Sequence, residues 1–222
     1  MTSPIMPLLP VKKIKKDTGP QPMSPNHPHL QVKIGVSGAA ETGHCGIDAY
    51  DKGLAMGREI ANHSAVLITG ATTGFPLWSA MGAKGAGGVS IGFSPASSEK
   101  EHIEYYNLPV EYMDVIVYTG FGFPGRDLIF TRSVDAMLFG CGRIGTIHEF
   151  TIAFEDKKPI GILEADWETD EVIKEILKNG HRANDHIVFD ADPKALVERV
   201  LELVHKDKIN RASFRFEPMQ QD

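Results

Sequence analysis

The residues best suited to ligand binding or catalysis lie in the run Cys-Gly-Arg-Ile-Gly-Thr-Ile-His-Glu, which ends at Glu149. The glycines Gly142 and Gly145 would let the backbone approach a phosphate closely. Thr146 begins the predicted helix Thr146–Glu155, and a helix N-terminus offers unpaired N–H groups and a partial positive charge. The run therefore has the composition of a phosphate-binding loop, with the carboxylate of Glu149 beside it.

Two residues of this region also have purely structural explanations. The segment from Thr146 to Glu149 has the spacing of a capping box, in which the glutamate returns to the backbone N–H of the cap. Arg126 falls at the start of a predicted helix, where its charge opposes the helix dipole unless an anion lies nearby. Position alone favours an exposed Arg126, whereas a neighbouring carboxylate or phosphate would give it a function.

Two further glycine loops follow predicted strands. Ser37-Gly38 ends the first strand, and Gly70-Ala71-Thr72-Thr73-Gly74 ends the second. In open α/β sheets, ligands bind at the carboxyl ends of the strands. Together with Gly140-Cys141-Gly142, these loops predict that one sheet edge holds a small phosphate-bearing molecule of the nucleotide type. Trp78, Tyr105, Tyr106 and Phe123 are candidates to stack on its base, although aromatic side chains more often pack in the core.

The elements that position these loops alternate along the chain. Apolar patterning predicts strands at Val32–Val36, Ala65–Thr69, Gly88–Phe93, Val115–Tyr118, Ala136–Phe139, Pro159–Leu163 and Ile187–Phe189, and helices at Ile47–Asn62, Phe75–Ala86, Arg126–Ser133, Thr146–Glu155, Glu168–Asn179 and Pro193–His205. Such alternation implies right-handed crossovers and a mostly parallel sheet, so the sequence predicts an α/β fold.

Both ends of the chain differ from this pattern. Residues 1–30 hold seven of the 14 prolines and a cluster of lysines, which excludes a helix or a central strand. We predict a flexible proline-rich arm there; the alternative is an arm that packs on a second subunit. Residues 31–210 form the predicted single domain, and residues 211–222 a polar tail.

Composition limits the partners and the location. The net charge of -6 argues against a nucleic-acid surface, which needs clustered Lys and Arg. No apolar stretch is long enough to span a membrane, and the N-terminus lacks the apolar core of a signal peptide. Two cysteines, Cys45 and Cys141, indicate free thiols in a reducing compartment. We expect a cytoplasmic protein that binds neither nucleic acid nor membranes.

Nothing in the sequence predicts a metal site or a bound cofactor. His148 precedes Glu149, but Ile152 stands where a zinc-protease motif needs its second histidine. His44 and Cys45 lie in a glycine-bounded loop, where we expect surface positions.

The glycine run resembles the LOG family of the SLOG superfamily, a group often mislabelled "lysine decarboxylase". The signature of that family is an arginine followed by Pro-Gly-Gly-x-Gly-Thr-x-x-Glu. Arg126 stands at the arginine position, and Gly142, Gly145, Thr146 and Glu149 match the second element without a gap. The other two glycine loops also resemble those of the family, and the resemblance covers about residues 33–163.

The resemblance implies a Rossmann-like, doubly wound fold with a mostly parallel sheet and helices on both faces, assembled as a homodimer. It also implies hydrolysis of the N-glycosidic bond of a nucleoside 5′-monophosphate, which releases the base and ribose 5-phosphate. Glu149 would then stabilise positive charge on the ribose or activate water, and Arg126 would orient it. The implied phosphate or nucleotide contacts are Ser37, Gly38, Gly70, Thr72, Gly74, Gly142, Arg143, Gly145 and Thr146.

Two departures from the signature leave a second function open. Cys141 stands in place of the proline, and Arg143 in place of the second glycine. The arginine would either donate to a phosphate or block the close approach that glycine permits. The alternative to a hydrolase is a non-catalytic carrier or sensor that binds a nucleotide or the pterin-type molybdenum cofactor with the same loops.

Overall fold

The computed structural model of the chain describes residues 31–182 and 184–214, of which the last five are described only as helix. Its strands are β1 (Lys33–Ser37), β2 (Val66–Thr69), β3 (Ser90–Ser94), β4 (Val115–Tyr118), β5 (Ala136–Phe139), β6 (Ile160–Leu163) and β7 (Ile187–Asp190), and its helices are α1 (Ala49–Asn62), α2 (Phe75–Gly85), α3 (Glu99–Glu104), α4 (Gly122–Ser133), α5 (Ile144–Glu155), α6 (Thr169–Asn179) and α7 (Pro193–Phe214). The predicted arm and residues 215–222 of the predicted tail lie outside the described residues.

The strands form one sheet in the order β4-β3-β2-β1-β5-β6-β7, and neighbouring strands run parallel throughout. The strand order reverses between β1 and β5, which makes the gap between them the topological switch point. Ser37 and Phe139 are register partners at the carboxyl ends of these two strands. The loops that follow them therefore border the crevice in which such sheets bind ligands.

Helices cover both faces of the sheet, because alternate strand residues point to opposite sides. Ile34 and Leu138 belong to a core built with α1, α2 and α7. Met137 and Phe139 belong to a second core built with α4, α5 and α6. The doubly wound α/β fold with helices on both faces is thus confirmed.

Four helices differ most from the prediction. Helix α3 was not predicted, because its six residues are too few to show an apolar period. The side chain of Ser98 caps this helix by accepting a hydrogen bond from the N–H of Glu101. Helix α4 begins four residues before the expected Arg126, at Gly122, and α5 begins at Ile144 rather than Thr146. Helix α7 continues past residue 210 to Phe214, so it crosses the predicted boundary between domain and tail.

Close packing accounts for two of the loop glycines at the switch point. Phe75, which is fully buried, lies against Gly38 and Gly140. A Cβ added to Gly38 would lie 2.7 Å from the Cβ of Phe75, closer than real side chains pack. These glycines therefore let α2 approach the sheet, whether or not a phosphate also lies near them.

Candidate functional site

A pocket of about 260 Å³ opens at the switch point, along the carboxyl ends of the central strands. It brings together nine of the eleven residues that the sequence nominated: Ser37, Gly38, Gly70, Thr72, Arg126, Arg143, Gly145, Thr146 and Glu149. The end of β1 and the loops after β1 and β2 supply the first four of these residues, and helices α4 and α5 with the turn before α5 supply the others.

The other two nominated residues, Gly74 and Gly142, lie outside the pocket lining. Gly74 precedes α2 with a φ of 72°, in the left-handed region that favours glycine. The N–H of Gly142 donates to the hydroxyl oxygen of Thr169 over 2.7 Å, so it already has a partner within the protein. Both glycines shape the loops behind the pocket.

Glu149 lies on the pocket floor and is only 6% exposed. The hydroxyl of Ser37 donates a hydrogen bond to its Oε2. The capping-box explanation is wrong, because α5 begins two residues earlier than predicted and Glu149 lies in its second turn. The Thr146 hydroxyl instead accepts from the N–H of Arg143, over 3.4 Å.

Burial raises the pKa of Glu149 to about 8. The guanidinium of Arg126 and the hydrogen bond from Ser37 both lower this pKa, but they do not offset desolvation, and the neighbouring Asp127 raises it further. The carboxyl group is therefore mostly protonated at neutral pH. In that form it can donate a hydrogen bond to a ligand oxygen, which a carboxylate cannot do.

Arg126 is also 6% exposed, so the exposed side chain that position alone favoured is wrong. Because α4 begins at Gly122, the arginine lies in the second turn rather than at the helix start. Its Nη1 donates to the carbonyl oxygen of Gly70, and its Nε lies 3.1 Å from Oδ1 of Asp127. A Cβ at Gly70 would overlap this guanidinium, which explains the glycine there.

Asp127 is a pocket residue that the sequence did not single out. It is buried beside Arg126 and lies 3.0 Å, through Oδ2, from Nδ1 of the partly exposed His148. Asp127 and His148 therefore extend the polar network that contains Arg126 and Glu149. The adjacent pairs Arg-Asp and His-Glu in the sequence were the only signal of this network.

Arg143 neither fills the glycine loop nor blocks it. Its side chain is 56% exposed and forms an ion pair with Glu41 at the pocket mouth. The N–H groups of Gly145 and Thr146 lie in the first turn of α5, where no helix carbonyl can accept from them. These N–H groups are therefore available to an anion, and Arg143 adds positive charge at the pocket mouth.

The two cysteines are joined by a disulfide, which overturns the expectation of free thiols. Cys45 lies in the loop after β1 and Cys141 in the loop after β5, so they are 96 positions apart in sequence. The switch-point topology brings those loops together, and local spacing could not show it. His44, exposed as expected, places Nε2 3.6 Å from Sγ of Cys141.

This arrangement suits the binding of a phosphate. Main-chain donors at the start of α5, the hydroxyls of Ser37 and Thr146, and the guanidinium of Arg126 all border one pocket. Phe123, half exposed, lines the same pocket and presents an aromatic face to a planar ring.

Comparison with known proteins is consistent with this geometry. An uncharacterised protein of Archaeoglobus fulgidus is 32% identical over 133 residues, which are 60% of this chain and 80% of that protein. The molybdenum cofactor binding protein of Rippkaea orientalis is 25% identical with a TM-score of 0.63, over 82% of this chain and 99% of that one. The molybdenum cofactor carrier protein of Chlamydomonas reinhardtii is 25% identical with a TM-score of 0.64, over 79% and 99%.

A more distant structural neighbour is relevant to the expectation that the protein binds no nucleic acid. DNA processing protein A of Helicobacter pylori, described for its single-stranded DNA binding, is 15% identical with a TM-score of 0.56, over 77% of this chain and 80% of that one. At that identity the likeness shows the fold alone, but it means that the fold does not support the expected absence of nucleic-acid binding. In the part of the chain that is described, no helix is both long and apolar enough to cross a membrane.

The family comparison agrees with the glycine loops and the parallel sheet. The model of the SLOG cluster4 family matches residues 31–197, which include every strand and the whole pocket. The resemblance to the SLOG superfamily is thus confirmed, and the chain belongs to the SLOG cluster4 family.

Proposed function

We propose that this protein binds and carries a small phosphate-bearing molecule, a nucleotide or the pterin-type molybdenum cofactor, without cleaving it. The observation that carries the proposal is the phosphate-type pocket, in which the first turn of α5, the hydroxyl of Ser37 and the guanidinium of Arg126 border the buried carboxyl group of Glu149. Burial also favours the neutral form of that carboxyl group. A neutral carboxyl group adds no repulsion to an anionic ligand and supplies a hydrogen-bond donor.

The raised pKa of Glu149 weighs against hydrolysis. Cleavage of an N-glycosidic bond builds positive charge on the ribose, which a carboxylate offsets and a neutral acid does not. Burial raises the pKa of Glu149 to about 8, which favours the protonated form at neutral pH.

The comparisons support a carrier as well. The two neighbours at 25% identity are described as binding or carrying the molybdenum cofactor, and almost their whole length superposes on this chain. In such a complex, the N-terminus of α5 would hold the phosphate and Phe123 would contact the ring.

A nucleoside 5′-monophosphate phosphoribohydrolase is the second candidate. What favours it is that Arg126 and Glu149, the signature residues, lie in the same pocket. If a bound ligand lowered the pKa of Glu149, the carboxylate could take the role that the family resemblance implies.

Two measurements separate these functions. Mass spectrometry of the protein as purified identifies the retained ligand, and chromatography measures base released from a panel of nucleoside 5′-monophosphates. A carrier retains a phosphate-bearing ligand and releases no base; turnover of any monophosphate would establish the hydrolase instead. As a control for phosphate recognition, monophosphates should raise the melting temperature and free nucleosides should not.

We also propose that the protein forms a homodimer through the outer side of β4. This strand lies at one end of the sheet and exposes Val115 and Val117, and the neighbouring Tyr105 and Phe121 are exposed as well. An apolar sheet edge of this kind favours pairing with another chain. Light scattering on a variant with Val115→Lys and Val117→Lys should show a monomer, whereas Val172→Lys on α6 should leave a dimer.

We retain two further expectations as proposals, a cytoplasmic location and no binding to nucleic acid. The net charge of -6 supports the second, because a nucleic-acid surface needs excess positive charge. Fluorescence anisotropy with labelled single-stranded DNA at low salt would test it, and saturable binding would contradict it.

A further inference from the structure

Three metal-ligating side chains meet beside the pocket, outside the network of Glu149. Nε2 of His44 and the sulfurs of Cys45 and Cys141 all lie within 4.8 Å of one another. Cys141 is fully buried, Cys45 is partly buried, and His44 is exposed to solvent. The phosphate network described above uses none of these three side chains.

We propose that the reduced protein binds Zn²⁺ through His44, Cys45 and Cys141, and that the disulfide is the oxidised, metal-free form of this site. Two thiolates and an imidazole are ligands that Zn²⁺ favours, whereas Mg²⁺ and Ca²⁺ require oxygen ligands. The proposal departs from the sequence-based expectation of no metal, because the two loops that supply the ligands are far apart in the sequence.

The backbone already holds the ligands at suitable positions. Tetrahedral zinc places its sulfur and nitrogen ligands about 3.5 Å apart, given bonds of about 2.0–2.3 Å. Nε2 of His44 lies 3.6 Å from Sγ of Cys141, close to that value. The Cα atoms of the two cysteines are 5.8 Å apart, so their side chains need only rotate for two separate thiolates to face one cation.

Hydrogen bonds outside the disulfide also hold the two loops. The N–H of Ala39 donates to the carbonyl oxygen of Cys141 over 2.7 Å, and the N–H of Cys45 donates to that of Thr42 over 2.9 Å. The first of these bonds joins the two loops independently of the disulfide, so we expect reduction to leave them in place. Nε2 of His44 lies 3.2 Å from the carbonyl oxygen of Gly142, so metal binding requires the tautomer with its proton on Nδ1.

A dithiol reductant transfers two electrons and two protons to the Cys45–Cys141 disulfide and closes to its own disulfide, which leaves two thiols. Zn²⁺ then displaces the two thiol protons and binds both sulfurs and the imidazole. Three protein ligands leave the fourth tetrahedral position to a water molecule. No oxidant or reductant is needed once the thiols are free.

Metal binding at this site would affect the residues at the mouth of the phosphate pocket. Arg143 follows Cys141 by two residues, and Glu41, its ion-pair partner, precedes His44 by three. Both loops that hold the cation therefore carry residues that line the phosphate pocket.

Titration of the full chain with Zn²⁺ and Co²⁺ tests the proposal. The protein is reduced with a phosphine, which is removed before titration, and zinc is measured by competition with a chromophoric chelator. The reduced wild type should bind one equivalent of zinc and, with cobalt, show a thiolate charge-transfer band. The oxidised wild type should show neither, and this comparison does not depend on any variant's folding.

Variants identify the ligands. Cys45→Ser and Cys141→Ser should each lose the charge-transfer band, and His44→Ala should lose the one-equivalent zinc binding, whereas His205→Ala on α7 should behave as the wild type. Two results would overturn the proposal: reduced wild type that binds no zinc, or equal binding by the oxidised protein or by the cysteine variants.

Discussion

The hydroxyl of Ser37 donates to the carboxyl group of Glu149 across 112 positions of the chain. This bond joins the end of β1 to helix α5 at the switch point, and both residues line the pocket. The hydrogen bond from Ser37 lowers the pKa of Glu149, so it is the burial of the carboxyl group that raises this pKa and favours the protonated form.

Glu149 should make folding stability depend on pH. Its pKa is about 8 in the folded chain against an ordinary 4.5, so the folded chain keeps a proton that the unfolded chain loses. The stability from this group is present below about pH 4.5 and is lost as the pH rises towards 8, at up to about 1.4 kcal/mol per pH unit. Urea unfolding of wild type and Glu149→Gln across this range measures the effect. Identical pH profiles for the two proteins would contradict the raised pKa.

Replacing Arg126 by lysine should weaken ligand binding while the chain still folds. Lysine keeps the charge near Asp127 but loses the planar group that also reaches Gly70. We expect the dissociation constant of the retained ligand to rise by about tenfold, the equivalent of one lost charged hydrogen bond. Calorimetry measures it, with Arg132→Lys, an exposed arginine on the same helix, as the control. Equal affinities in both variants would place Arg126 outside ligand recognition.

Restoring the family glycine with Arg143→Gly should change affinity and leave the fold intact. The side chain is exposed at the pocket mouth and pairs only with an exposed Glu41, so its removal costs little stability. We expect phosphate-bearing ligands to bind about two- to fivefold more weakly, the range typical of one exposed charge. An unchanged dissociation constant, measured with the melting temperature as the folding check, would show that Arg143 does not contact the ligand.

Gly74→Ala should destabilise the protein, whereas Gly85→Ala in the same helix region should not. Gly74 has a φ of 72°, and an added Cβ would collide with the carbonyl oxygen of Ala39. A Cβ at Gly85 would meet nothing within 4 Å. We expect Gly74→Ala to lose about 1–3 kcal/mol of unfolding free energy. Comparable denaturation midpoints for the two variants would contradict this role of the loop.

The sequence predicted the fold well because its strands are short apolar runs separated by helical periods. It misplaced the start of α4 because Phe-Gly-Phe-Pro-Gly is typical of a turn. Pro124 is nevertheless tolerated in the first turn of a helix, where its missing N–H is not needed. Spacing alone therefore put Arg126 at a helix start, and its burial in the second turn could not be foreseen.

Most of the pocket-lining residues could be predicted from the sequence, but their electrostatics could not. Parallel strands place the glycine loops at one edge of the sheet, and the parallel direction followed from the α/β pattern. The protonation of Glu149 depends on burial and on Asp127, and the Cys45–Cys141 bond joins two loops far apart in the sequence. Such properties arise from tertiary packing and have no local pattern.

The most direct test of the carrier function compares wild type with Glu149→Gln in one experiment. Glutamine is neutral, as the protonated glutamate is, so the account predicts nearly equal ligand affinity at pH 7. It also predicts that neither protein releases base from any nucleoside 5′-monophosphate. Wild-type release of base that falls by about 10²-fold or more in Glu149→Gln would contradict the account and assign Glu149 a catalytic role.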